Sequence, residues 1–323
     1  MKRLFEPFEI RELILRNRLA IPPLANNKAG ENGEVTDELI LHYRERSGDV
    51  GLVVVEHSFI TPEGRYTTRQ LGIHDDSLLD GLSGLASAIR AEGAAAAIQI
   101  THAGSRGCSD VLRAPSPVVH PRGASRVPEE LSVSEMKGLI QLFVAAARRA
   151  ECAGFDLVEV HGAHGYLLSQ FLSPITNKRQ DGYGGRLENR LRFPMEVVEA
   201  VKRAVGVPLM YRLGAEDGIE GGISLDDVPK MAPLLKEAGV DVLDISGGLM
   251  GWEMVNERPG LFVPYAEAAR RSSGLPCMVT GGIHDPAFAD AIVREDRADI
   301  VGVGRPFLKD PEWAKKARAN LMQ

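Results

Sequence analysis

The feature that most constrains the fold is a regular alternation of short apolar runs with longer amphipathic segments along the whole chain. Several runs, such as Gly51–Val55, are continuously apolar, which is typical of parallel strands covered on both faces. We predict eight strands, at Arg18–Pro23, Gly51–Glu56, Ala95–Thr101, Phe155–Val160, Val207–Gly214, Val240–Ser246, Pro276–Thr280 and Asp299–Val303. A period near 3.6 predicts eight helices, at Thr36–Ser47, Ser77–Glu92, Ser132–Cys152, Glu188–Val205, Ser224–Glu237, Ala266–Ser273, Pro286–Arg294 and Pro311–Leu321.

Local signals mark where these helices begin and end. Ser132 and Ser224 each stand three residues before an acidic residue, the pattern of a capping box. Four predicted helices are followed by a glycine and then a strand, at Gly93, Gly154, Gly206 and Gly239. Strict alternation of strand and helix predicts an α/β fold, a closed (β/α)8 TIM barrel in a single domain over residues 1–323. A doubly wound open sheet is the alternative.

Composition excludes several classes of function. The 38 basic and 44 acidic residues give a net charge of −6 without a dense basic stripe, so we expect no nucleic-acid partner. The longest apolar runs, Gly51–Val55 and Gly93–Ile100, are far shorter than the roughly 20 residues of a membrane span. No signal peptide is visible, so we expect no membrane association and a cytoplasmic location. The cysteines Cys108, Cys152 and Cys277 form no Cys-x-x-Cys pair that would indicate a disulfide framework, zinc site or iron–sulfur cluster.

Glycine-rich turns follow the last two predicted strands, Gly281-Gly282 after one and Gly302-Val-Gly304-Arg305 after the other. TIM barrels often bind phosphate at this place through backbone N–H groups. Glycine lets the backbone approach a ligand closely, and Arg305 adds a charged donor. We therefore expect a phosphate site here; the alternative is that the glycines only end strands.

Three hydrogen-bonding side chains leave the fourth strand within six residues, at His161, His164 and Tyr166. Two imidazoles can polarise a carbonyl or nitro oxygen, which stabilises a transition state by about 3–4 kcal/mol for one such donor. A phenol keeps its proton at neutral pH and can act as a proton donor. An alternative is a metal-dependent barrel hydrolase with Glu159, His161 and His164 as ligands, and another is a purely structural cluster.

Two polar residues, Gln99 and Arg212, lie inside otherwise apolar strands. An unpaired arginine would be costly there, so a partner is expected. A cofactor that develops negative charge would serve. The alternative is a structural ion pair with Glu56 or Glu159.

The segment from Ala153 to Arg190 closely resembles the old yellow enzyme family of FMN-dependent ene-reductases. It contains Val-Glu-Val-His161-Gly-Ala-His-Gly-Tyr166 and Asn177-Lys-Arg-Gln-Asp-Gly-Tyr183-Gly-Gly-Arg-Leu-Glu-Asn189. The similarity extends over essentially the whole chain, with further matches at Asn17-Arg18, at Gln99-Ile-Thr-His-Ala-Gly104 and at Gly302-Val-Gly-Arg305.

The resemblance implies FMN at the barrel mouth, NAD(P)H as reductant and a small activated alkene as substrate. Hydride would pass through flavin N5 to the β-carbon of an α,β-unsaturated carbonyl or nitro compound in a ping-pong cycle. His161 and His164 would bind the activating oxygen, and Tyr166 would protonate the α-carbon. The implied cofactor-binding residues are Pro23, Leu24, Ala25, His57, Gln99, Arg212, Gly248, Gly282, Gly304 and Arg305.

Three positions depart from the family pattern. Ala25 stands where a redox-tuning Cys or Thr is common, and Asn27 stands where one branch has a substrate-contacting Tyr. His57 replaces a small residue after the second strand, so it is expected to touch flavin or substrate. The scattered cysteines disagree with the branch that carries an iron–sulfur cluster and further domains. We therefore expect the single-domain type, as a homo-oligomer like its relatives.

Overall fold

The computed structural model describes residues 3–123, 126–255 and 258–322. Eight parallel strands close into a barrel in the order of the chain, and the eighth pairs with the first. They are β1 (Leu19–Ile21), β2 (Leu52–Phe59), β3 (Ala95–Thr101), β4 (Leu157–Gly162), β5 (Leu209–Gly214), β6 (Val242–Ser246), β7 (Cys277–Thr280) and β8 (Ile300–Gly302). The predicted TIM barrel is confirmed, and the strands lie where the apolar runs indicated.

A helix follows each strand on the outside of the barrel. These are α1 (Asp37–Arg44), α2 (Leu79–Ala91), α3 (Val133–Cys152), α4 (Leu187–Ala204), α5 (Val228–Glu237), α6 (Val263–Ser273), α7 (Pro286–Arg294) and α8 (Trp313–Leu321). Ser132 forms the predicted capping box with Glu135 at the start of α3. Helix α6 begins three residues before the predicted Ala266, because Phe262, Val263 and Ala266 are all buried on its inner side. Short helices at Leu167–Leu172 and Arg305–Lys309 follow β4 and β8.

The N-terminal end of the barrel is closed by a hairpin that the sequence patterns did not indicate. Phe8–Ile10 pairs antiparallel with Leu13–Leu15. Ile10 and Leu15 are buried against the interior side chains of the barrel. We call this cluster the apolar plug; its barrel members are Ala20, Leu52, Val54, Ala97, Leu157, Met210, Val242, Met278 and Ile300.

A second set of interior side chains lies two residues further along four of the same strands. These residues are polar, at most 4% exposed, and we call them the polar layer: Gln99, Glu159, Arg212 and Asp244. Because side chains alternate along a strand, residues two apart share a face, so the polar layer lies on the interior face that the plug occupies below it. It lies on the side of the C-terminal strand ends, where TIM barrels carry their active sites.

The long loop after β3, Cys108–Leu131, contains a small parallel pair of strands, Arg113–Ala114 with Glu129–Glu130. Residues 124–125 of this loop, and residues 256–257 between β6 and α6, lie outside the described ranges. Among the helices of the described part, none is both long and apolar enough to cross a membrane.

Candidate active site

A cavity of about 590 Å³ opens at the C-terminal ends of the strands. Every strand contributes a lining residue from its end or from the loop that follows, starting with Pro22–Ala25 after β1 and finishing with Gly302–Arg305 at β8. This volume lies in the usual range for small-molecule and cofactor sites.

Most of the residues predicted to form the site line this cavity. They are Pro23, Leu24, Ala25, His57, His164, Tyr166, Arg212, Gly282, Gly304 and Arg305. Three predicted residues are not among the lining residues. Gln99 is fully buried in the polar layer, and His161 is 1% exposed and packs against the lining residues His164 and Tyr166. Gly248 has its N–H bonded to the carbonyl of Glu216 at 2.6 Å, so it shapes the loop after β6.

The turns after β7 and β8 form a cradle that needs glycine. Gly281 and Gly282 have φ angles of 119° and 70°, in the left-handed region that favours glycine. A Cβ atom on Gly281 would lie 2.8 Å from the ring of Phe262. Arg305 follows at the start of the short helix after β8 and lines the same end of the cavity.

Arg212 connects the cavity to the polar layer. Its Nε lies 3.0 Å from Oδ2 of Asp244, the residue beside it in the register of β5 and β6. The structural ion pair that we considered as the alternative is present, but the adjacent strand supplies its carboxylate through Asp244 and not through Glu56 or Glu159. Nη2 donates to Thr280 Oγ1 at 3.1 Å, whereas the buried Nη1 has no hydrogen-bond partner in the described structure.

Glu159 and Asp244 form a carboxyl pair below Arg212. The amide of Gln99 donates to Glu159 Oε2 at 2.7 Å. Burial, and then the neighbouring Asp244, raise the pKa of Glu159 well above its usual range. Burial raises the pKa of Asp244 to about 6, opposed by Arg212. Both shifts favour the protonated form, more strongly for Glu159, while Asp244 is the carboxyl group in direct contact with Arg212.

His161, His164 and Tyr166 converge at the opposite side of the barrel from β7 and β8. Ring centroids are 5.2 Å apart for His161 and His164 and 4.9 Å apart for His161 and Tyr166. The Nδ1 of His161 accepts a hydrogen bond from the N–H of Ala163, so Nε2 carries the proton, and this buried N–H has no partner among the described residues. Burial, followed by neighbouring cationic groups, lowers the pKa of both histidines, which are neutral donors at pH 7.

His57 orients Tyr166. It lies at a bulge in β2, where the register with β3 shifts between Val55 and Ser58. The amide nitrogen of Gln70 is 2.7 Å from Nδ1, which leaves the proton on Nε2, 3.5 Å from the hydroxyl of Tyr166. Burial lowers the pKa of His57 to about 4. Tyr166 therefore accepts from His57, and its own proton is free to be donated elsewhere.

The metal-site alternative requires Glu159, His161 and His164 to converge on one point. They have separate partners: Glu159 bonds Gln99, and His164 Nε2 lies 2.8 Å from Ser246 Oγ. In the described part of the chain, no group of three or more His, Cys, Asp or Glu side chains is arranged to hold a metal ion.

Sequence reasoning missed several lining residues, of which Tyr66 and Arg106 lie closest to Tyr166. The Tyr66 ring centroid is 5.5 Å from that of Tyr166, and the guanidinium carbon of Arg106 is 5.3 Å from the Tyr166 centroid. Both residues stand in polar loops after β2 and β3. Their position past strand ends was the available signal, but nothing in the loop sequences indicated which side chains turn inward.

The cavity fits FMN by its own chemistry. The glycine cradle with Arg305 suits a phosphate, while the partnerless Nη1 of Arg212 offers a cation to the electron-rich side of a flavin. Apolar lining from Pro23, Leu24 and Ala25 suits the face of an aromatic ring system.

Comparison with known proteins agrees with this fit. The family model described as NADH:flavin oxidoreductase / NADH oxidase matches residues 3–323. The NADH oxidase of Thermoanaerobacter brockii is 41% identical, over 98% of this chain but only 50% of its own length. The NADPH dehydrogenase of Bacillus licheniformis is 38% identical, over 99% of this chain and 95% of its own length.

Two solved structures show the same architecture. A complex of 2-naphthoyl-CoA reductase with 2-naphthoyl-CoA superposes with a TM-score of 0.92 at 30% identity, over 98% of this chain and 52% of that chain. Morphinone reductase in complex with tetrahydroNAD has a TM-score of 0.85 at 29% identity, over 99% of this chain and 91% of that chain. The chain therefore belongs to the NADH:flavin oxidoreductase / NADH oxidase family, the old yellow enzymes.

Proposed function

We propose that this protein, by family an FMN oxidoreductase with a nicotinamide reductant, reduces the activated C=C bond of α,β-unsaturated carbonyl or nitro compounds. The observation that carries the proposal is the convergence of His161, His164 and Tyr166 beside one cavity whose far side is a phosphate cradle. Bound FMN supplies hydride transfer between nicotinamide and alkene. Since one cavity serves both, we expect them to bind in turn, in a ping-pong order.

The chain's own residues bind and polarise the alkene. The N–H of His161 at Nε2 has no partner in the part of the chain that the structure describes, and it donates to the carbonyl or nitro oxygen, with His164 as the second donor. Both imidazoles are neutral, so they act by hydrogen bonding rather than by proton transfer. One preorganised donor of this kind contributes about 3–4 kcal/mol to transition-state stabilisation.

Tyr166 supplies the proton that the α-carbon gains. Burial raises the pKa of the phenol above its usual range, which keeps it protonated in the resting site. The N–H of His57 faces the phenol oxygen and stabilises negative charge on it once the proton has left. This arrangement holds the Tyr166 hydroxyl in place and lowers the free energy needed to remove its proton.

The first test is the cofactor itself. Purified protein is expected to be yellow, to bleach anaerobically with NADPH or NADH, and to recover its colour when 2-cyclohexenone is added. Protein that is colourless and does not take up FMN would overturn the proposal.

The second test concerns Tyr166. Tyr166→Phe removes the proton but keeps the ring, so reoxidation by cyclohexenone should slow by about 10²–10⁴-fold while reduction by nicotinamide stays within a few-fold. Stopped-flow measurement of the two half-reactions separates them. Equal losses in both would contradict the assignment.

The remaining expectations belong to the same proposal: one domain, a homo-oligomer and a cytoplasmic enzyme. Three free thiols, two of them exposed, support a reducing compartment. Light scattering coupled to size exclusion measures the oligomeric state directly.

A further inference from the structure

We propose that Arg106 forms a binding site for an anionic group, a carboxylate or a phosphate, on a ligand that occupies the cavity beside Tyr166. The inference rests on the proposed function, because it assigns a class of ligand to that same cavity. Its basis is the charge balance of the cavity, the way Arg106 is held, and the recess behind it.

Charge in the lining is strongly unbalanced. Among the described residues that line the cavity, four carry guanidinium groups, Arg106, Arg122, Arg212 and Arg305, and one carries a carboxylate, Glu253. Glu253 pairs with Arg122, and Asp244 pairs with Arg212 from below. The cradle assigns Arg305 to a phosphate. Arg106 forms no ion pair with any carboxylate in the described part of the chain, and its hydrogen bonds go to neutral oxygens.

Arg106 is held in place by neutral partners. Nη1 donates to the carbonyl of His164 at 2.7 Å, and Nη2 donates to the hydroxyl of Tyr66 at 3.1 Å. Its guanidinium carbon lies 4.9 Å from the ring centroid of Tyr66 and 5.3 Å from that of Tyr166. A guanidinium has five N–H groups, so the two bonds leave donors for a planar anion. The cation is therefore preorganised next to the proposed proton donor.

A polar recess of about 260 Å³ continues behind Arg106. Arg106, Tyr66 and Arg122 line both this recess and the cavity, and the recess adds Arg126 and His120. No carboxylate lines it in the described structure. The recess therefore extends the positive potential away from the reacting end and gives room for a charged tail.

This arrangement selects ligands by charge. An anionic substituent gains a charge-assisted hydrogen bond to Arg106, whereas a cationic substituent meets several guanidinium groups. Two ligands can carry such a group: an alkene substrate with a carboxylate or phosphate tail, and the nicotinamide nucleotide with its phosphates. The chemistry that Arg106 recognises is the same for both, and the experiment separates them.

The test uses the FMN-loaded enzyme and two probes of nearly equal shape, 4-hydroxybenzoate and 4-hydroxybenzamide. Dissociation constants come from the change in flavin absorbance when each phenol binds, without turnover. We expect wild type to prefer the carboxylate. Arg106→Gln should reduce that preference about tenfold, the scale of a lost charge-assisted hydrogen bond. Arg106→Lys, which keeps the charge, should retain most of it.

The ratio of the two constants is the readout because a general disturbance of the cavity acts on both probes. Arg203→Gln is the matched control: it removes an identical charge from a side chain that is 71% exposed, pairs with Glu199 and lines neither the cavity nor the recess. We expect it to change the ratio less than about threefold. An equal effect of the two substitutions would show a diffuse field rather than a site, and would overturn the proposal.

The second arm measures the apparent dissociation constants of NADPH and NADH in the anaerobic reduction of the same variants. If the anion belongs to the alkene, Arg106→Gln lowers the benzoate preference and leaves the nucleotide constants unchanged. If it belongs to the nucleotide, either both nucleotides bind more weakly, through their shared pyrophosphate, or NADPH alone does, through its 2′-phosphate. If neither the benzoate preference nor the nucleotide constants change, the proposal is wrong. If the wild-type enzyme does not reduce cyclohexenone but Arg106→Gln still changes the benzoate preference, the proposed function is wrong and the anion site is supported.

Discussion

The barrel interior holds two layers of side chains that lie on the same strands and are equally buried, but one is apolar and the other is polar. In the apolar plug, Ala97, Leu157, Met210 and Val242 exclude water and contribute to stability through burial. Two residues further on, about 7 Å along each strand, Gln99, Glu159, Arg212 and Asp244 place charge and orphaned polar atoms in an equally buried position. The residues that stabilise the barrel and those that serve the site are therefore separated along the barrel axis. Burying the polar layer lowers the stability of the fold, but it holds Arg212 below the site.

The largest loss of stability is expected when one charge is removed from the polar layer. Asp244→Ala leaves Arg212 buried without its counter-ion and should lower the free energy of unfolding by about 3–5 kcal/mol, measured by urea titration without added FMN. Asp244→Leu combined with Arg212→Met removes both charges and should cost much less than the single change.

Glu159 provides the control in the same layer. Because burial raises the pKa of Glu159 and favours its neutral form, Glu159→Gln should exchange one neutral group for another and cost less than about 1 kcal/mol. A cost equal to that of Asp244→Ala would mean that Glu159, and not Asp244, carries the charge.

The plug should respond to lost volume and not to lost charge. Met210→Ala deletes a fully buried side chain and should destabilise the protein by about 2–5 kcal/mol, with little pH dependence and an unchanged spectrum of bound FMN. Met210→Leu, which conserves volume, should cost less than about 1.5 kcal/mol. Loss of FMN binding in Met210→Ala at temperatures where the barrel stays folded would contradict the separation of the two layers.

Lowering the pH should destabilise the protein through titratable groups of the site, because the apolar plug contains none. The pKa of His57 falls from 6.5 to about 4 on folding, so below pH 6.5 the unfolded chain binds a proton that the folded chain does not. Stability is therefore lost as the pH falls from 6.5 towards 4. His57→Gln should reduce the slope of unfolding free energy against pH in this window by up to about 1.4 kcal/mol per pH unit. An unchanged slope in urea titrations at several pH values would show that His57 is protonated in the fold.

Much of the barrel could be predicted because its signals are local. Strands covered on both faces are continuous apolar runs, as in Leu52–Val55, and helices such as α3 carry their own caps. The hairpin at Phe8–Leu15 escaped prediction because its strands are three residues long and one of them exposes Ile14 by 69%. Such short strands gain their stability from the barrel they close, and nothing in their own residues shows it.

The candidate site divides in the same way. Each glycine turn and the His161–Tyr166 segment is contiguous in sequence, so the sequence alone could single them out as candidate site residues. The counter-ion of Arg212 was not, because Glu56, Glu159 and Asp244 are equivalent until strand register places Asp244 beside it. The position of Arg106 in the cavity depends on the path of the loop after β3, and hydrophobic periodicity does not predict the path of a loop.

The pairing of β1 with β8 has a consequence for how the protein is made. Arg18 bonds the carbonyl of Asp299, 281 residues further along the chain, and Leu19 pairs with Val301. Contacts this distant form slowly and late. Until β8 has left the ribosome, β1 keeps an open edge, and the glycine turn that follows β8 cannot take its place beside the one after β7. The cofactor can therefore bind only after the barrel has closed. A nascent chain stalled before β8 would expose the unpaired backbone groups of β1, which chaperones would have to cover.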